Sequence, residues 1–328
     1  MSQIAFNAYL AQERGQLPRL TQLQIDALMQ GDVLVKVDYS GLNYKDALAM
    51  TGKGAILRHW PMVPGVDFCG QVQSSDDARF QAGDSVIVTG HGIGESHFGG
   101  YAEYARVPAD WLLPLPAGLD CRHAMAIGTA GLTAMLAVLA LEKHGIDTGR
   151  GPVLVTGATG GVGSMAIALL HHAGYTVTAA TGRTHEADYL RGLGADEVVH
   201  RSEFTAEVKP LATQRWSAAI DVAGGYTLAN VLSQLCYGGA AAACGLAESM
   251  QLPATVAPFI LRGVTLYGIE SVQASRAVRE QVWQRLATDL DSTLLAQMTE
   301  EIDFADLPEA AESMLTGGKR GRLVVRPA

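Results

Sequence analysis

The chain has 328 residues, enough for two domains at roughly 100 to 200 residues each. Apolar residues make up 48% and charged residues 17%, a balance that excludes disordered and fibrous classes. The net charge of −9 argues against a general nucleic-acid surface, so an anionic ligand has to be met by local basic groups. No apolar run approaches the roughly 18 residues of a membrane span. Residues 1–9 lack a basic segment followed by an apolar stretch, so the expectation is a cytoplasmic protein without membrane partners.

In chain order, short strand patterns come first, over 33–40, 67–73, 85–89 and 101–107, with Gly83-Asp84 and Gly99-Gly100 as turn residues. They point to a compact β-rich domain. A strongly apolar helix over 124–141 reads as a buried connector. From 153 onward strands and helices alternate: strands at 153–156, 176–180, 197–200, 218–222, 240–244 and 264–269, and helices starting at Val162, His185 and Tyr226. That alternation predicts a parallel sheet with right-handed crossovers, hence an α/β fold. A helix over 278–290 follows, and Leu323-Val324-Val325 is expected to return as a strand to the first domain. Cys69, Cys121, Cys236 and Cys244 show no C-x-x-C spacing and read as small buried hydrophobes.

The most informative segment is Val153-Leu154-Val155-Thr156-Gly157-Ala158-Thr159-Gly160-Gly161-Val162-Gly163. A β-branched run meets clustered glycines and then an apolar helix, the pattern of a dinucleotide pyrophosphate site. Gly157 turns the chain, Gly160 and Gly161 bring N–H groups to the phosphates, and Gly163 lets the helix pack on the strand. The second strand ends in Ala180-Thr181-Gly182-Arg183, with no carboxylate where one would favour NAD. Arg183 can instead pair with a 2′-phosphate, so NADPH is the expected cofactor.

Pro64-Gly65-Val66-Asp67, Gly83-Asp84-Ser85-Val86, Gly128-Thr129-Ala130-Gly131-Leu132-Thr133-Ala134 and the glycine-rich turn together resemble the medium-chain dehydrogenase/reductase superfamily. The resemblance implies a GroES-like β-rich domain over 1–123 with 291–328, plus a Rossmann domain with a doubly wound parallel sheet over 124–290. Zinc-dependent members carry Gly-His-Glu where this chain has Gly65-Val66-Asp67, and a lobe of four cysteines that is missing here. A catalytic zinc needs three protein donors, so a metal-free site is expected.

Leu42-Asn43-Tyr44-Lys45-Asp46-Ala47-Leu48, Thr51-Gly52-Lys53-Gly54 and Gly94-Glu95-Ser96-His97-Phe98-Gly99-Gly100 are more specifically similar to the bacterial acryloyl-CoA reductases, the YhdH/AcuI-type quinone oxidoreductases. This implies NADPH-dependent reduction of the activated C=C of acryloyl-CoA. A quinone, enal or enone reductase and a non-catalytic NADPH-binding protein are the alternatives. The same resemblance places Asn43, Tyr44 and Thr129 at the nicotinamide and substrate pocket, and assigns cofactor contacts to Tyr44, Thr159, Gly160, Gly161, Val162, Gly163, Thr181, Gly182, Arg183, Leu246, Ile269, Ser271 and Arg322. Tyr44 is either a proton donor or a stacking wall. Asp67 reads as an acceptor for nearby backbone, and His91 and His97 as loop hydrogen-bonders. Lys45, Lys53 and Arg58 are the candidates for CoA phosphates. The apolar strand over 264–269 is an edge that a homodimer would close.

Overall fold

The computed structural model describes residues 4–327, which form two compact units. The first comprises residues up to Thr129, Val272–Ala287 and Leu295 onward. It opens with a hairpin of β1 (Ala5–Leu10) and β2 (Arg19–Gln24). β3 (Val33–Leu42) leads into the short helix α1 (Tyr44–Thr51), followed by β4 (Asp67–Ser75), β5 (Ser85–Thr89), β6 (Tyr104–Val107) and β7 (Leu113–Pro114). Val33, Val35 and Val37 alternate along β3 and pack with Phe68, Val72, Val86 and Val88. Each such buried side chain contributes roughly 1.5–3 kcal/mol relative to exposure.

A helical run, α2 (Cys121–His144), is interrupted at Gly128, whose φ of 49° and ψ of −154° are not helical. By length and apolarity it resembles a membrane span, yet 78% of its most apolar window is buried in the protein. The second unit, Ala130–Ser271 with Thr288–Leu294, contains β8 (Val153–Val155), α3 (Gly161–His172), β9 (Val177–Thr181), β10 (Glu197–His200), β11 (Trp216–Asp221), β12 (Leu235–Ala243) and β13 (Thr265–Gly268). All six strands are parallel, in the order β10-β9-β8-β11-β12-β13. This is the doubly wound order, with the chain reversing direction across the sheet beside β8.

β14 (Thr299–Asp303) and β15 (Arg322–Arg326) complete the first unit, whose main sheet runs β14-β15-β3-β4-β5-β7 with β6 also paired to β3. The tail therefore returns as expected, with Leu323, Val324 and Val325 fully buried.

Two expectations are corrected. Val272–Ala287 belongs to the first unit, although its helical pattern continues the alternation of the second. The helix Arg276–Asp289 buries Arg279, Val282, Trp283 and Leu286, and the Arg279 guanidinium donates to Thr89 Oγ1 at 2.8 Å and Val272 O at 2.7 Å. Periodicity locates an apolar face but does not say which core receives it. Cys69 and Cys121 are not separate small hydrophobes: they form a disulfide across 52 residues, joining β4 to the start of α2. Cys236 and Cys244 remain free thiols.

Candidate active site and dinucleotide cradle

In the second unit, the turn after β8 leads into α3, which has no side-chain cap at its N-terminus. The first N–H groups of Gly161, Val162 and Gly163 are thus left for an anion, in line with the helix dipole. A Cβ on Gly163 would lie 2.5 Å from Gly157 O and 2.7 Å from the Ala158 Cα, so only glycine lets α3 close onto the turn. These features fit a pyrophosphate.

Thr159 and Thr181 are both buried and together set Arg183. The Arg183 guanidinium donates to Thr159 Oγ1 from Nε at 3.0 Å and from Nη2 at 2.6 Å, while its backbone N–H donates to Thr181 Oγ1 at 3.0 Å. Arg201, just beyond β10, crosses Gly182 closely enough that a Cβ there would sit 2.7 Å from its Nε. Two cations therefore meet at the carboxyl ends of β9 and β10, where the adenosine ribose of a dinucleotide lies. Sequence reasoning missed Arg201. Its only signal is its position directly after the third parallel strand.

Leu246 follows β12 and is 59% exposed; Ile269, just past β13, donates its N–H to Ala243 O at 2.9 Å; Ser271 closes the unit's main segment. All three lie beyond the carboxyl ends of parallel strands, on the edge that carries the glycine-rich turn. A further buried carboxylate belongs to this edge. Asp221, at the end of β11, accepts from Thr156 Oγ1 at 2.6 Å and Gly224 N at 2.8 Å, and burial pushes its pKa up.

In the first unit, Tyr44 is the first residue of α1 and is 48% exposed, and its hydroxyl has no hydrogen-bond partner among the described residues. The two neighbouring candidates face inward. Asn43 donates from Nδ2 to Asp46 Oδ2 and to Asp67 Oδ2, both at 3.0 Å, and its Oδ1 accepts from Arg322 Nη1 at 3.0 Å. Its amide is held inside the protein by these three partners. Arg322, 2% exposed, also donates to Ala126 O at 2.8 Å and Met125 O at 3.2 Å. It is therefore not a solvated turn charge. Thr129, next to Gly128, donates its backbone N–H to Asp67 Oδ2 at 2.8 Å.

Asp67 also accepts from Gly41 N at 2.9 Å, so the reading of it as a backbone acceptor holds. Asp46 accepts from Asn43 N at 3.1 Å and Val66 N at 3.0 Å. Burial and the neighbouring Asp67 raise its pKa to about 7, against the opposing pull of those N–H donors. His97 Nε2 bonds Arg106 O at 2.7 Å, and His91 stacks on Trp111. Lys45 pairs with Glu95 at 2.8 Å and Lys53 with Glu312, while Arg58 is 71% exposed at 3.7 Å from Glu95. Among the described residues, no three His, Cys, Asp or Glu side chains gather as a metal-binding group.

Residues 29–117 match the family described as alcohol dehydrogenase GroES-like domain, and residues 161–288 the family described as zinc-binding dehydrogenase. The probable acrylyl-CoA reductase AcuI of Escherichia coli is 51% identical over 318 residues, covering 97% of this chain and 98% of that protein. The chain belongs to the YhdH/AcuI family of medium-chain oxidoreductases. Another member of the family, the acrylyl-CoA reductase AcuI of Ruegeria pomeroyi, is 52% identical over 93% of this chain and 92% of its own. The YhdH oxidoreductase of Salmonella enterica, solved in complex with NADP, superposes with a TM-score of 0.95 at 52% identity, over 98% of this chain and 99% of that one. The zinc-binding dehydrogenase match begins at Gly161, in the glycine-rich turn, and runs on through the parallel sheet.

Proposed function

We propose that this protein reduces the activated C=C of acryloyl-CoA to give propionyl-CoA, using NADPH and no metal. The observation that carries the reading is the identity of 51% and 52% to two acrylyl-CoA reductases over nearly the whole chain. When bound, NADPH supplies the hydride that the β-carbon accepts. The N–H groups of Gly161, Val162 and Gly163 bind its pyrophosphate, and Arg183 and Arg201 bind its 2′-phosphate. Leu246, Ile269 and Ser271 border the rest of the cofactor.

Negative charge grows on the thioester oxygen during the reduction, and the α-carbon must then take a proton. Tyr44 offers the exposed hydroxyl that can donate to either atom. A preorganised donor of this kind is commonly worth about 10²- to 10³-fold in rate. Asn43 and Thr129 support it from behind. The residues present do not fit zinc: Val66 stands at the histidine of the family's Gly-His-Glu motif, and Asn43 is bound to both Asp67 and Arg322.

NADPH oxidation with acryloyl-CoA, measured before and after prolonged chelation, tests this reading. Equal turnover in both is expected. Turnover of quinones or enals with none of acryloyl-CoA would overturn the substrate, and loss of activity that returns with zinc would overturn the metal-free site.

The protein is further proposed to be a cytoplasmic homodimer joined through β13. That strand ends the parallel sheet, and the adjacent helix Ala257–Arg262 exposes Ile260 at 72% and Leu261 at 61%. Pairing β13 with a second copy would satisfy its edge and cover these side chains. A monomer by light scattering at micromolar concentration would count against it.

A further inference from the structure

The two ends of the Cys69–Cys121 link have different surroundings. Cys69 lies in β4 between Tyr39 of β3 and Ile87 of β5 and is fully buried. Cys121 is the first residue of α2, is 9% exposed, and lines a cavity of about 560 Å³ in the first unit. Of the pair, only Cys121 belongs to the cavity wall.

The same wall carries three cations, Lys36, Arg122 and Arg326, and two carboxylates, Asp38 and Asp120. Asp120 is already engaged, accepting from the His123 N–H at 2.7 Å and bonding its ring at 2.8 Å, and Arg122 donates to Glu301 at 2.7 Å. Lys36 and Arg326 both attract Asp38, but neither makes a close ion pair among the described residues. Beside Cys121 the cavity therefore offers two cations and one carboxylate. Its complement is a ligand with two carboxylates and one ammonium. In a reducing compartment, the location proposed above, a disulfide is typically a link that opens and closes.

We propose that Cys121 is a thiolation site for a small peptide thiol with two carboxylates and one ammonium, held in this cavity by Lys36, Arg326 and Asp38. The ligand thiol gives up its proton, and its thiolate attacks Cys121 Sγ. The bond to Cys69 breaks, and the Cys69 thiolate leaves and takes up a proton. One disulfide is exchanged for another, so no separate oxidant or reductant is needed. The product carries the ligand on Cys121 and a thiol at Cys69, and attack by Cys69 on Cys121 Sγ restores the original link. Opening it unties β4 from α2, the run that continues to Gly128 and Thr129. The site is independent of the acryloyl-CoA reading.

The test incubates the folded, oxidised protein with glutathione as the probe. Neutral 2-mercaptoethanol and cationic cysteamine serve as comparisons at equal thiolate concentration. Peptide mapping after an acid quench should find glutathione on Cys121 and a free thiol at Cys69. Glutathione should open the link about fivefold faster than cysteamine, the scale of one close charge pair in water, and the difference should shrink at about 1 M salt. The double variant Lys36→Glu, Arg326→Glu should reverse the order, and the salt dependence of the wild type gives the same reading if that variant does not fold. Cys69→Ser should acquire glutathione at Cys121 from oxidised glutathione, whereas Cys121→Ser should leave Cys69 unmodified. An adduct on Cys69, equal rates for the three thiols, or an order that neither salt nor the double variant changes would overturn the proposal. So would a wild-type protein purified with both thiols free and inert to oxidised glutathione.

Discussion

At the scale of single residues, the site divides into groups that face outward and groups that hold them. Tyr44 is of the first kind. Tyr44→Phe keeps the ring and removes its hydroxyl, so kcat with acryloyl-CoA should fall about 10²-fold, as for loss of one preorganised donor, while NADPH binding is unchanged. A near-wild-type kcat would leave Tyr44 as a wall for the nicotinamide. Arg183 is also of the first kind, with Thr159 and Thr181 behind it. Arg183→Ala should weaken NADPH by about 10- to 100-fold, the equivalent of one charge-assisted hydrogen bond, and leave NADH nearly unchanged. Equal losses for the two cofactors by titration would remove the 2′-phosphate role, and Arg201→Ala should behave alike. Asn43 was legible as a site residue from its motif, but its role was not. Whether an amide faces solvent or two carboxylates depends on Asp67 and Arg322, which lie far from it in sequence.

At the scale of elements, legibility followed burial pattern. The strands of the second unit are short apolar runs spaced by helices, so Glu197–His200 and the run into Asp221 stand out in the sequence. β2 and β14 do not: Arg19–Gln24 buries none of its residues fully, and in Thr299–Asp303 only Ile302 is buried. Such strands exist because a neighbouring strand pairs with them, which is information held elsewhere in the chain. The Cys69–Cys121 link was hidden for the same reason. On the chain-entropy view, closing a loop of 52 residues contributes about 4 kcal/mol of stability. Cys121→Ser should therefore lower Tm by several degrees without reductant and by much less in its presence. Identical melting of wild type and variant in both conditions would show that the link is not formed in solution. Cys244, its pKa pushed up to about 12 by burial and the nearby Asp221, should resist alkylation throughout.

For the whole molecule, two buried groups bias stability in opposite directions with pH. Asp46 titrates at about 7 in the folded protein against about 3.8 in the unfolded chain, so the folded state holds an extra proton and stability is lost as pH rises across that window. His91 is lowered to about 4 from 6.5 by burial and by Arg279, so its share of stability is lost as pH falls through that range. Between pH 4 and 6.5 the two slopes oppose one another. Asp46→Asn should leave the histidine slope alone, giving a steeper fall of Tm on acidification than in the wild type. Parallel Tm curves for the two proteins would contradict this.

The central place of β15 also fixes an order of events during synthesis. The six-stranded parallel sheet is encoded in one uninterrupted stretch and can form while the ribosome is still at work. The larger sheet is completed later, because β15 lies between β14 and β3 and is translated after all six parallel strands. Arg322 arrives with it. The nascent chain thus acquires its nucleotide-binding half before β15 closes the sheet that carries the segment leading to Tyr44.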